Sequence, residues 1–157
     1  MNLNKSQIVK IVVSCVAILL VAVLGSIFVN IGFNWFDNLN KPNQWLPNVL
    51  IPIVWTIIYL LFTIVNFLWI KKEEKIPTKT MVLMIINAVL NVLWCLIFFT
   101  FKQLFLGNIF IILNLIFGFA LVINILKQKT IYGYVLYVYP IWLSVATTLN
   151  LALWILN

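Results

Sequence analysis

The sequence predicts an all-α integral membrane protein, one five-helix transmembrane bundle over residues 1–157 with the N-terminus cytoplasmic and the C-terminus outside. Three observations predict it. Hydrophobic residues make up 65% of the chain and charged ones 8%, with a mean hydropathy of +1.16, well beyond a soluble domain. The apolar runs are continuous rather than alternating, and a bilayer offers no water to unpaired peptide groups, so helices rather than a barrel carry the chain across. The few polar breaks leave five stretches, each close to the roughly 20 residues that cross roughly 30 Å of hydrocarbon.

The spans are expected at 9–30, 49–70, 80–100, 104–126 and 131–156. The first follows Lys5 and Lys10. It is long and no small-x-small cleavage pattern follows it, so it reads as a retained span rather than a signal peptide. The second is entered through "NKPNQWLPNVLIPIVW", residues 40–55. Proline fixes φ and pushes the preceding residue to extended geometry, so the connection 31–48, with Trp35, Pro42, Trp45 and Pro47, reads as a stiff lid. Pro52 is tolerable in the first turns of the second helix. The other breaks are "KKEEKIPTK" at 71–79, "FKQ" at 101–103 and "KQKT" at 127–130. Five crossings put Lys5, Lys10, Lys71, Lys72, Lys75, Lys79, Lys127 and Lys129 on one side and only Lys41 and Lys102 on the other, which orients the N-terminus inward.

Several classes are excluded by what the spans contain. Apart from Lys10 at an edge, no ionisable acid or base lies within a span, which argues against an ion-coupled transporter. The chain has no histidine and no arginine, so a Ser-His-Asp triad, a histidine metal site and histidine ligation of haem iron are absent. Asp37, Glu73 and Glu74 sit in connections and read as solvated charge. Cys15 and Cys95 fall inside apolar runs, where a thiol acts as a small hydrophobe, so neither a disulfide nor a metal is expected. The net charge of +7 comes from scattered lysines with no basic-aromatic face, so nucleic acid is not a partner; the bilayer is.

What remains inside is neutral and aromatic. Asn87, Asn91, Trp94 and Phe98 recur at helical spacing on the third span, Trp142, Ala146, Asn150 and Leu153 on the fifth, and Trp55, Tyr59, Phe62 and Asn66 on the second. Asparagines that glue helices and tryptophans that form interfacial belts are the plain explanation, and Trp69 and Trp154, at span ends, fit the belt. Trp94 and Trp142 lie well inside their runs, where an indole N–H needs an internal partner. Ala22 and Ser26, and mid-span Gly118, permit close helix contact and predict packing only.

Three motifs carry a resemblance over nearly the whole chain. The first connection and second span read "WFDNLNKPNQWLPNVLIPIVWTIIY", the third span "NAVLNVLWCLIFF", and the fifth "WLSVATTLNLALWILN". Together they resemble the tryptophan-rich sensory protein and translocator protein family, the five-helix proteins once called peripheral benzodiazepine receptors. The chain departs from the pattern in places. Gln44 holds the usual tryptophan slot with Trp45 one place late, Leu46 replaces the first of two prolines, Asn87 replaces a glutamine, and the proline before Trp142 is moved to Pro140. The family's sterol pattern, a tyrosine followed by a basic residue, is missing from "TTLNLALWILN".

The resemblance implies a pocket under the first loop that binds porphyrins, haem and similar planar apolar ligands, with no required cofactor or metal, in a protein that homodimerises in a bacterial cytoplasmic membrane. Carried over by position, the pocket residues are Trp55, Tyr59, Asn91, Trp94, Cys95, Trp142, Ala146 and Asn150, with Asn91 and Asn150 supplying hydrogen bonds. The favoured function is a receptor or sensor of tetrapyrroles that passes them on. The alternatives are light-dependent porphyrin degradation, in which Trp55 and Trp142 act photochemically, and a scaffold that binds no small ligand.

Overall fold

A computed structural model describes residues 3–43, 46–72 and 75–157, and five helices in it are long and apolar enough to span a membrane. They are α1 (Lys5–Asp37), α2 (Leu50–Lys71), α3 (Thr78–Thr100), α4 (Leu104–Gln128) and α5 (Thr130–Leu156). Among the described residues there is no strand.

Local chemistry explains where the helices start, bend and stop. Asn4 caps α1 in a reciprocal box: its side chain accepts from the Gln7 N–H at 2.8 Å while Gln7 Oε1 accepts from the Asn4 N–H at 2.9 Å. Pro52 sits on the third residue of α2, where its missing N–H has no intrahelical acceptor to lose. α5 breaks at Tyr137 because Pro140, four residues after Leu136, cannot donate to that carbonyl and crowds it. α3 ends in a π turn, Leu96–Thr100, closed by the Phe101 N–H on the Leu96 carbonyl at 3.0 Å. Lys102, at φ 57°, then reverses the chain into α4.

α1 differs from expectation at its C-terminal end. It runs on through Asp37, so the α1–α2 connection begins at residue 38 and Trp35 stands in the last helical turn rather than on the loop. The physical reason is an apolar face that continues to the end of the helix, where buried Phe36 packs on Phe98 and Phe99 at ring separations of 6.4 and 5.3 Å.

The helices form a ring. α1 packs on α2 and α3, α3 on α4, and α4 on α5, while α5 returns only lightly to α2. Most seams carry a buried or half-buried hydrogen bond. Asn66 Nδ2 donates to Ser14 Oγ at 3.0 Å between α2 and α1, and the Thr100 hydroxyl to the Phe28 carbonyl at 3.3 Å between α3 and α1. Asn124 Nδ2 donates to Thr80 Oγ1 at 2.7 Å between α4 and α3. The Tyr139 hydroxyl of α5 donates between the side-chain oxygens of Asn87 and Asn114, 3.2 and 3.1 Å away. The α2–α5 seam is instead bridged by rings: Trp55 and Phe62 on Tyr139 at 6.4 and 5.4 Å, and Trp69 on Tyr132 at 5.8 Å.

One glycine has a strict steric role. A Cβ on Gly32 would collide with the backbone of Phe99 in the π turn, so only glycine lets the C-terminal end of α1 lie directly on α3.

Candidate ligand-binding site

A cavity of about 40 Å³ lies between the helices at the end where α1 stops and α2 starts, and four of the five contribute to its wall. Phe36 comes from α1, Ile51 and Trp55 from α2, Trp94, Phe98 and Phe99 from α3, and Trp142, Ala146, Leu149, Asn150 and Leu153 from α5. Three indoles therefore meet at one hollow. Trp94 and Trp142 are buried and Trp55 is half-buried. Trp55 stacks on Tyr59 at 5.8 Å and lies 6.3 Å from Trp94, which itself stacks on Phe98 at 6.0 Å.

The polar groups of this wall differ in how far they are already used. The Trp94 indole N–H donates to Asn150 Oδ1 at 3.2 Å, and Asn150 Nδ2 donates to the Ala146 carbonyl at 2.9 Å. Asn108 steadies the same turn of α5 by donating to the Asn150 carbonyl at 3.5 Å. Trp142 has no such partner among the described residues, where its buried Nε1 meets no protein acceptor.

The segment beyond α1 is tied down at its near end. Lys41 Nζ donates to the Asp37 carbonyl at 2.7 Å, pairs with the Asp37 carboxylate at 3.6 Å and lies 5.0 Å from the centre of the Phe36 ring. Asn48 Nδ2 donates to Asp37 Oδ1 at 3.3 Å. Asn40 and Asn157 form a reciprocal clamp: the Asn40 N–H donates to Asn157 Oδ1 at 2.9 Å, and Asn157 Nδ2 donates to the Asn40 carbonyl at 3.1 Å. Asn157 Nδ2 also holds the Leu153 carbonyl at 2.9 Å, so the clamp joins the end of α1 to the turn of α5 that lines the cavity.

These five apolar helices, with aromatic side chains converging on one hollow, can be set beside known proteins. The model of the TspO/MBR family matches residues 13–155. The chain belongs to the TspO/MBR family. It is similar to Protein CrtK of Rhodobacter capsulatus, 29% identical over 125 residues and covering 78% of each chain. It is also similar to the tryptophan-rich protein TspO of Archaeoglobus fulgidus, 28% identical over 152 residues, 96% of this chain and 99% of that one. The tryptophan-rich sensory protein of Cereibacter sphaeroides is 27% identical over 116 residues, 74% of this chain and 72% of that one. Family and helices together make this an integral membrane protein.

Of the pocket residues expected in this TspO/MBR family member, Trp55, Trp94, Trp142, Ala146 and Asn150 line the cavity. Tyr59 stands behind Trp55. Asn91 and Cys95 are buried one layer back, the Cys95 thiol 4.0 Å from Asn91 Oδ1 as its donor. Asn150, expected to bond a ligand, has its amide engaged within the chain. In the loop, Pro42 is half-buried and Pro47 exposed, while Trp45 lies outside the described residues. Trp69 is not a belt residue: it is 1% exposed and packs inside the α2–α5 seam, because the end of α2 is covered by Tyr132. Trp154, 44% exposed beside Phe105, is at the surface.

Phe36, Ile51, Phe98, Phe99, Leu149 and Leu153 complete the wall and were not among the expected site residues. Phe98 and Leu153 continue the two polar-aromatic stripes by one turn, so helical spacing alone could have added them. Phe99 has no such signal. It joins its neighbour at the cavity because the π turn winds more residues per turn, and Phe36 joins because α1 outlasts its expected end.

Proposed function

We propose that this protein is a membrane receptor or sensor that binds porphyrin-type tetrapyrroles and similar planar apolar molecules in the cavity beneath the α1–α2 connection, and passes them on. The observation that carries the proposal is the convergence of Trp55, Trp94 and Trp142, from three helices, on one hollow. Flat aromatic walls with few polar groups suit a large planar ligand. The relative named as a tryptophan-rich sensory protein supports a sensory role. We place the chain in a bacterial cytoplasmic membrane, lysine-rich N-terminal side inward.

Volume sets a condition on this function. The cavity is about 40 Å³ against roughly 300–1,000 Å³ for an ordinary small-molecule site, so a tetrapyrrole enters only if helices part. The lightly packed α2–α5 seam is the place that opens. With no histidine to ligate iron, metal-free porphyrin binds about as well as haem.

Titrating protoporphyrin into the purified protein in the dark should quench tryptophan fluorescence saturably, and Trp55→Leu should weaken the Kd by roughly 3–10-fold. Absence of saturable quenching would remove the receptor reading and leave a scaffold. The contiguous rings of Tyr59, Trp55 and Trp94 favour a second reading, light-dependent porphyrin breakdown. That reading requires a new absorbing product in the same titration, formed only under light and oxygen and lost when Trp55 and Trp142 are both changed to Phe.

A further inference from the structure

Eight of the ten lysines belong to the end of the bundle where α1, α3 and α5 start and α2 and α4 stop, against two acids there, Glu73 and Glu74, both outside the described residues. Within that excess one corner is built rather than scattered. Gln7, 6% exposed, donates from Nε2 to the Ile70 and Lys71 carbonyls, both at 3.2 Å, and so fastens the first turn of α1 to the last turn of α2. Chain spacing then gathers four lysines. Lys5 and Lys10 lie within one turn of Gln7 along α1, and Lys71 and Lys72 stand at the contact on α2. All four are exposed, and no ion pair among the described residues involves any of them. The ammonium groups of Lys71 and Lys72 rest instead 5.8 Å from the ring centres of Phe67 and Tyr132. A neutral amide thus holds like charges together, against a mutual repulsion that an anion would relieve.

Depth identifies the anion. Lys10 opens one apolar run and Lys71 closes another, so the corner lies where hydrocarbon gives way to headgroups. The anion that the membrane itself holds at that level is a lipid phosphate. Lysine stems reach it while their methylenes stay in the apolar zone. We infer that this corner is a binding site for the headgroup of an anionic phospholipid, seated between the start of α1 and the end of α2. The aromatic cavity lies at the opposite end of both helices, and the lipid site holds whether or not that cavity takes a tetrapyrrole.

The test places the full-length protein in phosphatidylcholine vesicles with traces of spin-labelled lipid, whose motionally restricted fraction measures contact with the protein. Spin-labelled phosphatidylglycerol should associate about 5-fold more strongly than spin-labelled phosphatidylcholine, the scale of one lysine at a charged surface, and the ratio should shrink at about 1 M salt. Replacing Lys5, Lys10, Lys71 and Lys72 together with Gln should bring the ratio below about 2. Replacing the other four lysines of that end, Lys75, Lys79, Lys127 and Lys129, with Gln should leave it above about 3. Gln7→Leu, which keeps every charge but unties the two helices, should lower it as well; if that variant does not fold, the two lysine sets decide alone. If phosphatidylglycerol is not preferred, if the two lysine sets cost the same, or if a folded Gln7→Leu protein keeps the full ratio, the charge acts as a diffuse field and the site is overturned. Millimolar inorganic phosphate at matched ionic strength should leave the ratio in place. Displacement by it would assign the corner to a soluble anion and overturn the lipid.

Discussion

Trp69 and Trp154 occupy comparable places in the sequence, each at the end of an apolar run, and the fold uses them oppositely. Trp69 fills the α2–α5 seam against Tyr132 and Trp154 faces outward. Truncating a fully buried aromatic costs transfer energy plus a cavity, so Trp69→Ala should destabilise the protein by about 3–5 kcal/mol. Trp154→Ala should cost less than about 1 kcal/mol. Thermal unfolding in a single detergent separates the two, and equal losses would mean that Trp69 is not a core residue. Residue positions were legible where helical spacing repeats: Asn87, Asn91, Trp94 and Phe98 are all buried, as are Trp142, Ala146, Asn150 and Leu153. Partners were not legible. Nothing in the order of residues says that Trp94 finds Asn150 while Trp142 finds no acceptor, because both depend on the rotation of α3 against α5.

At the level of helices, continuous apolar runs bounded by lysine, proline and glutamine placed all five elements. What composition could not reveal is local geometry inside an unbroken apolar run, and so the π turn at Leu96–Thr100 and the extension of α1 to Asp37 went unsignalled. Both shape the cavity. The Asn40–Asn157 clamp is likewise invisible to any local pattern, since it joins residues 117 positions apart. It has a direct consequence for the connection it secures. Asn157→Ala removes the acceptor of the Asn40 N–H, and amide exchange at Asn40 should quicken by roughly 5–10-fold while amides at the centres of α3 and α4 keep their rates. Unchanged exchange at Asn40 would show that Lys41 and Asn48 hold the segment without help from α5.

On the scale of the whole molecule, the ring is unequal. Hydrogen bonds join α1 to α2 and α3, and α4 to α3 and α5, whereas α2 and α5 meet through aromatic and aliphatic side chains. Aromatic faces slide with less loss than a directional bond breaks, so the bundle yields there first. Spin labels at Ile57 on α2 and Ile141 on α5, both exposed, should move apart when protoporphyrin binds, in a background with Cys15 and Cys95 replaced by alanine. A control pair at Val89 on α3 and Ile112 on α4 should hold its distance. A lengthened control pair with a fixed α2–α5 pair would place the opening elsewhere.

The length of α1 has its own outcome. Its 33 residues make a rod of roughly 50 Å where the hydrocarbon slab measures roughly 30 Å, so the rod must lean or stand proud of the lipid. Because its far tip is tethered to the last turn of α5 through Asn40 and Asn157, any change in lean pulls on that tether. Membrane thickness thereby becomes a mechanical input to the α1–α2 connection beside the cavity, and thin and thick bilayers should hold that connection under different tension.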